Sequence, residues 1–190
     1  MLVKRPRLSI AIHGVYAETD RVAIADLQLR RSLAQGINQH LEAGEDPGPL
    51  ASHDPKVQHV LEKLFAARFD DGELAALKQG FRQANPGQLT ESTIGKVLSG
   101  LTLHKKRTLT EQEVSQLKGI DFYTLLFERL RSKVVVAESP LQELAGARAA
   151  DTESTLKNAG VPADRLTILP AEKVDAQGTD VPVKLMLGNK

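Results

Sequence analysis

The sequence predicts an α+β fold dominated by helices, with about three strands: one near the start, two near the end, and a long helical block between. Three observations predict it. Leu8, Ile10 and Ile12 alternate with Ser9, Ala11 and His13, which is the period of a half-buried strand. Val181, Val183, Leu185 and Leu187 alternate in the same way at the other end. Between them, apolar residues recur at three- and four-residue spacing, in segments closed by Gly, Pro, Asn and Asp. Three strands are few for an independent sheet, but helices packed on one face can stabilise one. The strands are therefore expected to meet despite their separation in sequence.

The first strand ends at Gly14. Thr19 or Asp20 can cap a helix running to about Leu41, with Val22, Leu29, Leu33, Ile37 and Leu41 on its buried side. Gly44 to Pro49 breaks the pattern. Asp54 and Pro55 open the next helix with cap and proline in register, and Val57, Val60, Leu61, Leu64 and Phe65 form its stripe as far as Phe69. Asp70-Asp71-Gly72 reads as a turn. A weaker helix follows, carrying Leu74, Leu77 and Phe81 and stopped by Asn85-Pro86-Gly87. Thr90 starts a short helix with Ile94, Val97, Leu98 and Leu101.

Thr110 and Glu113 form a capping box. Gly119 interrupts before Phe122 to Leu130, the most hydrophobic helix of the chain. Val134-Val135-Val136 is either a brief extended link or the fraying end of that helix. Ser139 can cap the last helix, with Pro140 at its first position and Gln142 completing a second capping box. Leu141, Leu144, Arg148, Thr152, Leu156 and Ala159 share one face of it. Gly160 supplies the left-handed residue that ends it, and Val161-Pro162 prevents continuation. Arg165 to Leu169 is a short strand, followed by the alternating Val181 to Leu187.

Composition excludes several classes of function. The 190 residues carry a net charge of +1, so binding nucleic acid through a general basic field is not expected. His104-Lys105-Lys106-Arg107 is the single basic cluster and reads as a solvated loop. With no cysteine, thiol catalysis, disulfides and cysteine-ligated zinc are ruled out. No tryptophan and few aromatics leave little for a carbohydrate platform or a base-stacking surface. No run reaches the roughly 20 apolar residues of a membrane helix, and Leu8 to Val15 is too short and punctuated for a signal-peptide core. Work outside the cytoplasm would need another segment to take the chain there.

No constellation for chemistry emerges. The histidines (13, 40, 53, 59 and 104) lack the i, i+4 spacing with a glutamate that marks a metalloprotease helix. His53 and His59 flank a helix start around Asp54 without a third ligand nearby, so no metal site is expected. No G-x-S-x-G occurs, and no glycine loop for a dinucleotide or phosphate. No catalytic residue, cofactor or enzyme activity is therefore expected. Arg148 is the one charge on an otherwise apolar helical face. It reads either as a snorkelling arginine paired at the helix edge, or as a fork holding a loop or an anionic ligand.

Two families are resembled. Leu144-Ala145-Gly146-Ala147-Arg148-Ala149, then Leu156, then Gly160 to Leu166 (GVPADRL) resembles the L-S-x-x-R-A…L…G-V-P-A-D-R-I signature of OmpA-like periplasmic domains. Arg5-Pro6-x-Leu8-x-Ile10-x-Ile12-x-Gly14 resembles the strand before that family's ligand loop. Over nearly the whole chain, the order of this strand with Tyr16, Asp20, Leu27, Arg30-Arg31, then Phe122-Tyr123-x-x-Leu126-Phe127-Glu128-Arg129-Leu130, then Leu141 to Arg148 and the GVPADR turn is similar to the carboxy-terminal region of large AsmA-like envelope proteins. These include the family filed as domain of unknown function 748.

The resemblance implies a small OmpA-like sheet of about three strands with a large helical insertion. It implies a single domain over 1–190, with a split α/β core at 5–43 and 139–188 and the insertion at 50–133. It also implies a non-enzymatic structural or interaction domain in the periplasm. The parent would be anchored in the inner membrane and associated with outer-membrane biogenesis or lipid traffic between membranes. The implied partners are other envelope proteins or the rest of the parent chain, with no nucleic acid and no membrane span in this chain.

The alternative is a divergent peptidoglycan-binding module. Arg148 matches the family arginine that holds the diaminopimelate carboxylate, with Asp20 or Glu18 as its candidate partner. The family's T-D-x-x-G loop is replaced here by Val15-Tyr16-Ala17, so Glu18 and Asp20 are the first acids after the strand.

Overall fold

The computed structural model describes residues 8–42, 44–89, 108–176 and 181–189. They form an α+β fold of six α-helices and one mixed three-stranded sheet. In chain order these are β1 (Leu8–Tyr16), α1 (Asp20–Gly36), α2 (Pro55–Phe69), α3 (Asp71–Ala84), α4 (Glu111–Gln116), α5 (Phe122–Arg131), α6 (Glu138–Asn158), a 3-10 turn (Ala163–Arg165), β2 (Leu166–Lys173) and β3 (Lys184–Asn189). The expected helix from Thr90, the cluster His104 to Arg107 and the Arg5-Pro6 pair lie outside the described residues.

The chain divides into two compact units, Met1–Asp26 with Val135–Lys190, and Leu27–Val134. The first boundary falls inside α1. The reason is packing: Leu29 and Leu33 belong to a helical core with Val57, Val60, Leu61, Phe65, Leu77, Phe81, Leu117, Phe122, Leu126, Phe127 and Leu130.

In the sheet unit the strand order is β2-β1-β3, with β1 parallel to β2 and antiparallel to β3. Ile10 pairs with Leu166 and Leu187, and Ile12 with Ile168 and Leu185. Directly opposed residues share a face, so all six side chains lie on one side of the sheet. Helix α6 packs on that side against β1 and β2. It does so at very close range, because a Cβ built on Gly14 would stand 1.9 Å from the carbonyl oxygen of Ala145. Only a residue without a side chain fits there.

That approach corrects the expected face of the last helix. The buried stripe is Leu141, Ala145 and Ala149, one residue round from Leu144, Arg148 and Thr152. Small residues at four-residue spacing let the helix backbone reach β1, and the larger side chains are turned to the flanks of the contact. Leu156 still packs against the core of Ile10, Ile12, Ala149 and Leu166.

Helix ends follow local chemistry, with three corrections. α1 stops at Gly36 rather than Leu41 because Asn38 adopts a left-handed φ of 59°. The Gln39 amide then donates to Ala34 O at 2.8 Å and the Asn38 amide to Gln35 O at 3.0 Å. Asparagine here plays the part usually given to glycine in this motif, as Gly160 does after α6, where Val161 donates to Leu156 O and Gly160 to Lys157 O. Asp70-Asp71-Gly72 is not a separate turn. Asp70, at φ 128°, closes α2 and caps α3 by accepting the Glu73 amide at 2.7 Å, so one residue joins two helices. Finally, α6 starts at Glu138 with Ala137 at the cap position, and the Ser139 hydroxyl donates to Glu143 instead.

In the helical unit, Phe81 meets Phe122 edge-on at 5.1 Å between ring centroids. Asn85 does more than end α3. It is buried; its amide nitrogen donates to Leu117 O at 2.7 Å and its oxygen accepts the Gly119 amide at 2.8 Å. The capping box of Thr110 and Glu113 opens α4, and 134–137 has no regular secondary structure.

Two measurements check this account. Gly14→Ala sets a methyl group against the Ala145 carbonyl and is expected to destabilise the sheet unit by about 3 kcal/mol, read as a lower urea midpoint; an unchanged midpoint contradicts the close contact. Asn85→Ala strands the buried carbonyl of Leu117 and unpairs the part-buried Gly119 amide, with an expected cost of about 2 kcal/mol, against which Asn38→Gly serves as a near-neutral control.

Candidate functional site

The candidate residues converge where β1 hands over to α1. Gly14 brings α6 close at this end of the strand, which places Arg148, one helical turn past Leu144, beside the loop after Tyr16. Its guanidinium makes a two-pronged pair with Asp20: Nη1 to Oδ2 at 2.8 Å and Nη2 to Oδ1 at 2.7 Å. Nη1 also donates to Val15 O at 3.0 Å. Asp20 further accepts the Ala17 amide at 2.9 Å, and its own amide donates to Ala17 O. The Asp20 residue is 6% exposed, and the Arg148 side chain 26%.

Glu18 does not join this pair. It bonds Arg21 Nε at 2.7 Å and Lys173 at 3.1 Å. Arg21 reaches on to Glu138 at 2.8 Å and to the carbonyl of Val136. The Tyr16 hydroxyl donates to the other oxygen of Glu138. Cation and carboxylate thus alternate from Lys173 through Glu18 and Arg21 to Glu138, beside the separate Asp20–Arg148 pair. Of the expected site residues, the fold brings Asp20 to Arg148 and sends Glu18 to a neighbouring, exposed chain of contacts.

Electrostatics follow from these bonds. The Arg148 guanidinium holds the Asp20 carboxyl below the usual carboxylate range, helped by the Ala17 amide and opposed by burial. Asp20 in turn raises Arg148. The Tyr16 hydroxyl bond lowers Glu138, with Arg21 adding to it, and the same bond raises Tyr16.

The prongs of Arg148 that would grip a foreign carboxylate are filled by Asp20 of the same chain. Among the described residues no group of three or more His, Asp or Glu gathers as a metal site. His13 stands on the other face of the sheet, with Nδ1 3.8 Å from Glu172 Oε2.

Tyr16, Arg21, Glu138 and Lys173 escape the sequence reading as members of this cluster. Tyr16 and Glu138 are 122 residues apart, beyond any local pattern. The signal that points to Glu138 is its place two residues before Pro140 in the first turn of α6. Comparison of the chain with protein-family models, with curated proteins and with solved structures gives no significant match in any of the three. No helix of the described residues is long and apolar enough to cross a membrane.

The pair carries a pH signature. Because the folded pKa of Asp20 lies below its unfolded value of about 4, its contribution is complete above that value and is lost as pH falls through the depressed folded pKa. Arg148→Ala is expected to cost about 3 kcal/mol at pH 7 by leaving Asp20 buried without its cation. It should also flatten the acid limb of the stability curve. Urea midpoints at neutral and acid pH measure both, and an acid limb identical to that of the wild type rules out this role for the pair.

Proposed function

We propose that the chain is a non-enzymatic structural and interaction module of the cell envelope, working in the periplasm as part of an AsmA-like protein concerned with outer-membrane biogenesis or lipid traffic. One observation carries the reading. The arginine that, by resemblance, would hold a ligand carboxylate is closed on an internal aspartate, tying the end of β1 and the start of α1 to the middle of α6. The order of motifs at the two chain ends supports the envelope assignment. The partners proposed are other envelope proteins or further parts of the same parent chain.

The same observation ranks the peptidoglycan alternative second. A diaminopimelate carboxylate would have to displace Asp20 from both prongs of Arg148, giving up a largely buried pair before any ligand contact is made.

Two experiments test the reading. Purified cell-wall sacculi should retain wild type and Arg148→Ala equally or not at all; retention that depends on Arg148 overturns it in favour of peptidoglycan binding. Alkaline phosphatase fused to the end of the natural gene product should be active, since that reporter matures only outside the cytoplasm. An inactive fusion made at normal levels contradicts the periplasmic placement.

A further inference from the structure

The two outer strands of the sheet are built differently. β2 carries Pro170 at its middle, a break in register between the pairings of His13 and Val15, and the charges Glu172 and Lys173 near its end. Proline offers no amide hydrogen, and charges and irregularities keep other strands from pairing with an edge. β3 carries only one of these devices, a charge at its end. Its register with β1 is unbroken over Lys184–Asn189, it has no proline, and its single charge, Lys184, sits at the first position and bonds Glu172 at 3.0 Å.

The apolar side chains of β3 are also uncovered. Leu185, Met186 and Leu187 are 51%, 49% and 71% exposed. Leu185 and Leu187 lie on the face that α6 covers over β1 and β2, and Met186 lies on the other. Among the described residues no strand lies beyond β3. A row of unpaired amide and carbonyl groups flanked by bare leucines calls for an extended chain as its complement, rather than a helix or a lipid surface.

We propose that β3 is the docking edge for the β3 of a second copy of this chain, the two strands running antiparallel about a two-fold axis through Met186. Two three-stranded sheets then continue as one sheet of six strands. The observation that favours a second copy is the self-complementarity of the strand. A two-fold perpendicular to the sheet keeps each face continuous, so only residues of the same face can be opposed. Centred on Met186, it sets Leu185 against the partner's Leu187 and Leu187 against the partner's Leu185. Lys184 then lies opposite the partner's Gly188, so like charges never meet. An axis through Leu185 or through Leu187 would leave one leucine of each strand opposed to a residue outside β3 or to Asn189.

The register makes the test specific. Light scattering of the full chain over a concentration series is expected to show a monomer–dimer equilibrium with Kd on the order of 10 µM, as befits a small interface. L185E alone and L187K alone each set an unanswered charge against a leucine, twice per dimer, and should weaken association about tenfold or more. The double variant L185E/L187K opposes each new carboxylate to a new ammonium and should restore the dimer. Circular dichroism on every variant confirms that the fold is kept, which the exposure of both positions predicts. A wild type that stays monomeric at about 1 mM, well above the expected Kd, overturns the proposal. So do single variants that dimerise like the wild type, a folded double variant that stays monomeric, or an edge that captures an unrelated extended peptide while the chain remains monomeric.

Discussion

The sheet unit depends on one interaction, the two-pronged pair between Asp20 and Arg148. Its apolar core is small. Ile12, Leu141 and Val15 are its large, fully buried side chains, whereas the helical unit holds Phe65, Phe81, Phe122, Leu61, Leu77 and Leu126. At roughly 2 kcal/mol for each such side chain, the difference between the units is large enough to change what decides stability. In the helical unit it is aromatic and leucine packing. In the sheet unit a smaller core is supplemented by the tie that fixes the β1–α1 turn to α6, together with the Gly14 contact that brings α6 within reach of it.

Gly14 and Arg148 therefore work as a pair. The missing side chain lowers the helix onto the strand, and the long side chain of Arg148 then spans the short remaining distance to Val15 and Asp20. A helix held farther out by a larger residue would leave the guanidinium short of the loop and the carboxylate buried alone. The apparent oddity of a charge beside an apolar helical stripe is resolved by geometry: Arg148 lies on the flank of the Leu141–Ala145–Ala149 stripe, not within it.

Much of the fold was legible in the sequence because it was written in short-range signals. Alternation marked β1 and the last strand, proline and aspartate marked the start of α2, and Gly160 marked the end of α6. What was misread had a different physical origin. Asn38 acts as a left-handed cap, a role its side chain permits without announcing. Asp70 serves two helices at once. The α6 stripe was displaced by one residue because alanines count little in a hydrophobic pattern, yet they decide how close two backbones come. In the site, Arg148 and Asp20 were both visible as candidates, since each stood out locally. Their meeting, and the Glu138–Tyr16–Arg21 group beside them, depends on contacts spanning more than 110 residues, which no local period encodes.

The single-residue joint at Asp70 has a consequence for how this chain can vary in length. One residue added or removed there would turn α3 by about 100° about its axis, carrying Leu77 and Phe81 off the core; a deletion would bring Lys78 and Arg82 into their places. The loop from Gly44 to Pro49 is held by Arg30 and Arg31 through Glu45, Asp46 and Gly48 but sets no helix register, and there is open space around Gly44 and Gly48. Insertions and deletions in natural variants of this sequence should therefore collect before α2 and be absent between α2 and α3, where the spacing of the two helices behaves as a fixed mechanical dimension.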